Sequence, residues 1–176
     1  DLEMLGGAIA GVVQALKVES AAIAADLDAG GLGVAETSAR IASGAKLRAY
    51  SFNHYKSKKP ETKELKDITV LTGDAKGARQ HFQALEAVAD GVHLARDLVN
   101  EPPNVLHPVE FAARMKPLAK LGLKISILTP AQMKKLGMHA LLGVAQGSAH
   151  EARMVVMEWK GGKTGEAPLA FIGKGV

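Results

Sequence analysis

Apolar positions along the chain recur with a period that changes several times. Between residues 2 and 17, Leu5, Ile9, Val12, Val13 and Leu16 sit at helical spacing. Gly6, Gly7 and Gly11 fall inside that stretch; they weaken a helix but let a neighbour approach closely. Residues 18–26 read as a strand, and Gly30, Gly31 and Gly33 mark a loop after it. A second helix is expected from about Val34 to Tyr50, extending at most to Tyr55. Residues 56–66 are charged, contain Pro60, and read as an exposed connection. Residues 67–72 read as a strand closed by Gly73 and Asp74. Helix, strand, helix, strand is part of an α/β layer.

The period then lengthens into one long helix. Phe82, Leu85, Val88, Ala89, Val92, Ala95 and Val99 form a stripe, with Arg79, Gln83, Glu86, Asp90 and Asp97 largely off it. This helix should span on the order of 35 Å. Pro102 and Pro103 stop it. Pro108 can open the next helix, whose buried face is marked by Phe111, Met115 and Leu118; Pro117 can bend it and Gly122 can end it. Residues 123–128 read as a strand. Thr129, Pro130, Ala131 and Gln132 form a capping-box sequence that opens a short helix ending at Gly137. Residues 141–145 read as a short strand and residues 153–159 as a strong one, with Gly161 and Gly162 turning the chain. Leu169 to Ile172, between Pro168 and Gly173, reads as a final buried strand. There is no internal repeat and no low-complexity tract.

Composition narrows the class. Hydrophobic residues make up 47% and charged residues 23%, which is the globular range. Aromatics are only 4%, so alanine, valine and leucine must build the core. With no cysteine, a disulfide framework and a cysteine-ligated zinc site are both excluded. No apolar run approaches the ~20 residues of a membrane-spanning helix, and no basic leader precedes an apolar one. The formal net charge is +4. Lys56, Lys58, Lys59, Lys63 and Lys66 cluster, but Glu61, Glu64 and Asp67 are interleaved, so a solvated surface is the favoured reading over a nucleic-acid contact.

Most chemical motifs fail on inspection. Around Gly173, Lys174 and Gly175 a phosphate loop would need glycine where Pro168 stands and a hydroxyl where Gly175 stands. In the dinucleotide pattern begun by Gly31 and Gly33, the third glycine is replaced by Glu36, whose carboxylate would repel a pyrophosphate. His150 and Glu151 start like a zinc-protease helix, but Met154 stands where the second histidine belongs. His54, His81, His93, His107 and His139 show no ligand spacing, and Ser148 lacks the glycine elbow of a hydrolase nucleophile. Lys174 is the residue that stands out. It would sit at the carboxyl end of an apolar strand, where ligands and catalytic groups collect in open α/β sheets. Burying an ammonium is costly, so such a lysine needs a carboxylate partner, a chemical role as a neutral amine, or a route for its head group to reach water. Spacing alone leaves these open.

Beyond the motifs, longer stretches carry a likeness. The run Leu94-Ala95-Arg96-Asp97-Leu98-Val99-Asn100-Glu101-Pro102-Pro103-Asn104 resembles the entry to the catalytic domain of cytosol (leucyl) aminopeptidases. Lys134-Lys135-Leu136-Gly137-Met138, Gly143-Val144-Ala145-Gln146-Gly147-Ser148 and Phe171-Ile172-Gly173-Lys174-Gly175-Val176 follow in that family's order. Upstream, Leu5-Gly6-Gly7-Ala8-Ile9 and Arg48-Ala49-Tyr50-Ser51-Phe52 are similar to its N-terminal domain.

The resemblance implies an α/β fold in three parts. Residues 1–74 would be the C-terminal part of an N-terminal α/β (macro-like) domain, residues 75–100 a long linker helix, and residues 101–176 the first part of an α/β catalytic domain with a mixed sheet. It implies a cytoplasmic homohexamer with two divalent metal ions, Mn²⁺ or Zn²⁺, acting on peptide substrates by removing N-terminal residues. In the matching motif the lysine corresponding to Lys174 is a metal ligand, and an amine must be neutral to bind a metal. The family's carboxylate ligands, catalytic lysine and arginine correspond to no residue of these 176. The expectation is therefore a piece of a longer enzyme, ending as the metal site begins and inactive alone, since one nitrogen cannot hold two dications. The alternatives are a DNA-binding role through residues 56–66, as in some members of the family, and a nucleotide-binding module in the N-terminal layer.

Overall fold

The computed structural model describes residues 1–58 and 65–174. Contacts within the chain separate into two compact units, Asp1–Asn100 and Glu101–Val176. The first contains α1 (Leu2–Ala15), β1 (Ser20–Ala24), α2 (Gly33–Arg48), β2 (Asp67–Leu71) and α3 (Ala75–Asn100). Strands β1 and β2 pair in parallel, Ser20 opposite Asp67 through to Ala24 opposite Leu71. Side chains alternate across a strand. Ala21, Ile23, Ile68 and Val70 therefore lie on the covered face, while Ala22, Ala24, Thr69 and Leu71 are exposed. Ala10 of α1, Ile41 and Ala45 of α2, and Ile23 and Ala25 form the buried cluster, with Leu2, Ile9, Ile68 and Val70 packed on it.

Small residues set how closely α1 and α2 pack. A Cβ on Gly6 would overlap the backbone carbonyl of Ile41, and one on Gly44 would overlap the backbone carbonyl of Glu3. The two helices thus touch backbone to backbone, which only glycine permits. Helix α1 opens with the Asp1 carboxylate accepting from the amides of Glu3 and Met4 at 3.1 and 3.4 Å. It closes at Lys17, which adopts the left-handed conformation (φ 56°) normally given to glycine at this position.

Helix α2 is fixed to the segment that follows β1 by buried hydroxyls. Ser38 Oγ lies 2.8 Å from the carbonyl oxygens of both Ala25 and Val34, and Thr37 Oγ1 accepts from the amide of Ala29 at 3.2 Å. Helix α3 packs along α2. Its covered line runs through Phe82, Leu85, Ala89, Val92, His93 and Arg96, whereas Val88 and Val99 of the expected stripe face solvent. The difference arises because polar side chains make much of the contact. Lys46 of α2 bridges Glu86 and Asp90 at 2.9 and 2.8 Å, and Arg96 donates to the carbonyl of Leu47 at 2.6 Å. The hydrogen bond to Asp90 is the main reason the Lys46 ammonium is held above the usual lysine range, against a smaller opposing effect of burial. Residues 56–58 are exposed; 59–64, the middle of the expected charged connection, lie outside the described residues.

The second unit contains α4 (Pro108–Met115), a 3-10 helix (Lys116–Leu121), β3 (Lys124–Leu128), α5 (Pro130–Lys135), α6 (His139–Ala145) and β4 (Met154–Glu158). Pro108 occupies the first turn of α4, and the α-helix gives way to the tighter 3-10 form where Pro117 follows. Gly122, at φ 94°, ends it. The capping box forms as expected: Gln132 N donates to Thr129 Oγ1 at 3.4 Å and Thr129 N to Gln132 Oε1 at 2.9 Å. Strands β3 and β4 pair antiparallel, Lys124 opposite Glu158 through to Leu128 opposite Met154. Ala112, Met115, Met133 and Ala152 are buried here. The α/β class holds, with one parallel and one antiparallel pair among the described residues.

Two expected strands are absent. Residues 141–145 lie in helix α6, where Leu142 N donates to Met138 O at 3.2 Å. Alanine and leucine favour a helix, and a strand needs a partner that this run does not have among the described residues. The run Leu169 to Ile172 is irregular and exposed rather than a buried strand. No strand among the described residues pairs with it, so its amides and carbonyls are left to water.

Candidate functional site

Lys174 is reached through a path that local chemistry fixes only as far as residue 166. Beyond β4, Trp159 lies against Gly122, and a Cβ on Gly161 would overlap its indole. Glu158, beside it, pairs with Lys124 across the strands at 2.9 Å. That hydrogen bond holds the Glu158 carboxyl below the usual carboxylate range. A turn follows, in which Glu166 N donates to Lys163 O and Lys163 N donates to Glu166 Oε2, both at 3.2 Å. Gly165 takes the left-handed conformation the turn requires, at φ 89°.

From there to Lys174 the chain is irregular. Leu169, Phe171 and Ile172 are 82%, 89% and 99% exposed. Lys174 itself is exposed, and Gly175 and Val176 lie outside the described residues. Among the described residues no three His, Asp or Glu side chains gather as a set that could hold a metal ion. These residues therefore do not fit a two-metal centre: a lone amine nitrogen supplies too few donors.

The start of the second unit is held by specific contacts. The Glu101 carboxylate, 7% exposed, accepts from Arg114 Nη1 at 2.6 Å, and Arg114 also reaches Glu110 at 3.5 Å. The bond to Glu101 is the main cause of the Arg114 guanidinium being held above its usual range. Pro102 O accepts from the amides of Val105 and Leu106, each at 2.9 Å, and so folds the turn into α4.

The remaining candidates resolve plainly. Gly30 and Gly31, in the loop between β1 and α2, and Gly33, the first residue of α2, all have positive φ, and Gly33 N donates to Asp28 Oδ1 at 3.0 Å. A carboxylate takes the amide that a phosphate would use, so the loop is a turn device. His150 lies outside any helix, and Ser148 Oγ accepts from His150 N at 3.0 Å. One grouping had no signal in the sequence. The rings of His107 and His150 stack face to face, 3.9 Å between centroids and 4° from parallel, and His107 Nδ1 is buried without a hydrogen-bond partner among the described residues. Residues so far apart in the chain meet only through the fold. In the first unit, burial is the main cause of the Tyr50 hydroxyl being held above the usual phenol range; the group donates to Asp97 at 2.9 Å and accepts from Asn100 at 3.0 Å. No helix among the described residues is long and apolar enough to cross a membrane.

Comparison with known proteins supplies what the geometry lacks. A model of the catalytic domain of the cytosol aminopeptidase family matches residues 93–176, and one of that family's N-terminal domain matches residues 1–59. A probable cytosol aminopeptidase of Rhizobium rhizogenes is 54% identical over 181 residues, covering 98% of this chain and 35% of that protein. One of Rhodopseudomonas palustris is 50% identical over 179 residues, covering 100% of this chain and 35% of that protein. Among solved structures, the bottromycin maturation enzyme BotP in complex with Mn matches with a TM-score of 0.72 and 31% identity, over 89% of this chain and 33% of that one. A mutant of tomato leucine aminopeptidase matches with a TM-score of 0.74 and 27% identity, over 88% of this chain and 32% of that one. The chain thus spans about 35% of the length of the two relatives named. With both domain models matched in order, and identity sustained over nearly its whole length, the chain belongs to the cytosol aminopeptidase family.

Proposed function

We propose that this chain is part of a longer aminopeptidase that removes N-terminal residues from peptides and depends on two divalent metal ions, Mn²⁺ or Zn²⁺. The observation that carries the reading is the catalytic-domain match over residues 93–176, which takes in Gly173, Lys174 and Gly175. The Mn named with BotP, a structural relative, supports use of a divalent metal. In this reading Lys174 is a ligand of one metal, its neutral amine one donor among several. Residues 1–74 belong to the N-terminal domain, α3 is the linker helix, and residues 101–176 begin the catalytic domain. A homohexamer in the cytoplasm is part of the same proposal.

The 176 residues alone are inactive in this reading, because the described residues assemble no metal set and one amine cannot hold two dications. The test is hydrolysis of leucyl-p-nitroanilide by the purified chain with excess Mn²⁺, alongside metal content after gel filtration. Background hydrolysis and no retained metal are expected. Turnover above background, or two retained equivalents of metal, would overturn the inactivity proposed for the 176 residues alone. The DNA-binding alternative rests on residues 56–66, most of which lie outside the described residues, and no observation favours it.

A further inference from the structure

We draw no further inference here: the strongest candidate, the exposed apolar run of Leu169, Phe171 and Ile172 that follows β4 in the second unit, carries nothing because nothing in the structure shows what covers it.

Discussion

Helix α1 and the segment from 168 to 174 are built from similar residues, apolar side chains interspersed with glycine, yet they end in opposite environments. One face of α1 closes the first unit's core, with Ala10 fully buried and Gly6 against the backbone of α2. The later segment leaves Leu169, Phe171 and Ile172 almost wholly in water. What separates them is a partner. Alpha1 needs only its own hydrogen bonds and the facing surface of α2, both within the first unit. A strand has no internal ladder, so the second segment has no structure until another strand pairs with it. An apolar pattern therefore specifies a face, and the burial of that face depends on what else is present.

The largest expected effect is at the α1–α2 crossing. Gly44→Ala places a methyl group into the backbone carbonyl of Glu3, and Gly6→Ala does the same to that of Ile41. Neither obstacle is a side chain that can rotate away. Each variant should lose about 3 kcal/mol, the upper part of the range for overpacking. Urea titration followed by circular dichroism checks this. An unchanged midpoint for both variants would show that the helices are not held backbone to backbone, and the contrast with the exposed segment would collapse.

Next comes the hydroxyl lock between α2 and the residue that follows β1. Ser38→Ala removes a buried donor that lies 2.8 Å from the carbonyls of Ala25 and Val34. A loss of about 1–3 kcal/mol is expected, because Ala25 O, an acceptor just past the end of β1, loses this donor without gaining water. Ser38→Thr, which keeps the hydroxyl but adds a methyl, tests crowding at the same place. If alanine is tolerated and threonine is not, the site is about volume and the hydrogen bond contributes little.

These positions also show what could be read from the chain alone. The glycines of α1 were legible as a licence for close packing, and the Thr129 and Gln132 capping box as a helix start, because both act over a few residues. Where α3 meets α2 was only half legible. The apolar stripe predicts a hydrophobic seam, but Lys46 and Arg96, and Tyr50 just past the end of α2, make much of the contact through specific partners, and pattern carries no record of such pairs. The stack of His107 on His150 was illegible for the same reason. Lys174 was the reverse case. Its motif was legible, but the burial that would make it chemically unusual depends on a strand pairing that the described residues do not contain.

A smaller effect, opposite in sign, is expected one residue from the crossing. A Cβ on Gly7 would meet Gly44 O at 3.6 Å and Arg48 Cβ at 3.8 Å, which is ordinary contact. Gly7→Ala should gain about 0.5–1 kcal/mol from helix propensity. Measured beside Gly6→Ala in the same titration, it separates a glycine that the packing requires from one that it merely tolerates. A loss at Gly7 comparable to that at Gly6 would mean the helices are closer over a longer stretch than the two contacts indicate.

The smallest effect belongs to the exposed run. Phe171→Ser and Ile172→Ser remove side chains with almost no protein surface around them, so each should change stability by no more than about 0.5 kcal/mol. The substitution is informative because it would be severe if the run were a buried strand: loss of a core phenylalanine costs about 3–5 kcal/mol. The two states thus differ by several kcal/mol at a single residue. A large loss in the Phe171→Ser variant of this chain would place the run in a sheet, return Lys174 to a strand end, and remove the distinction between the two regions. A null result keeps the segment in water and makes strand pairing the step that any environment for Lys174 must await.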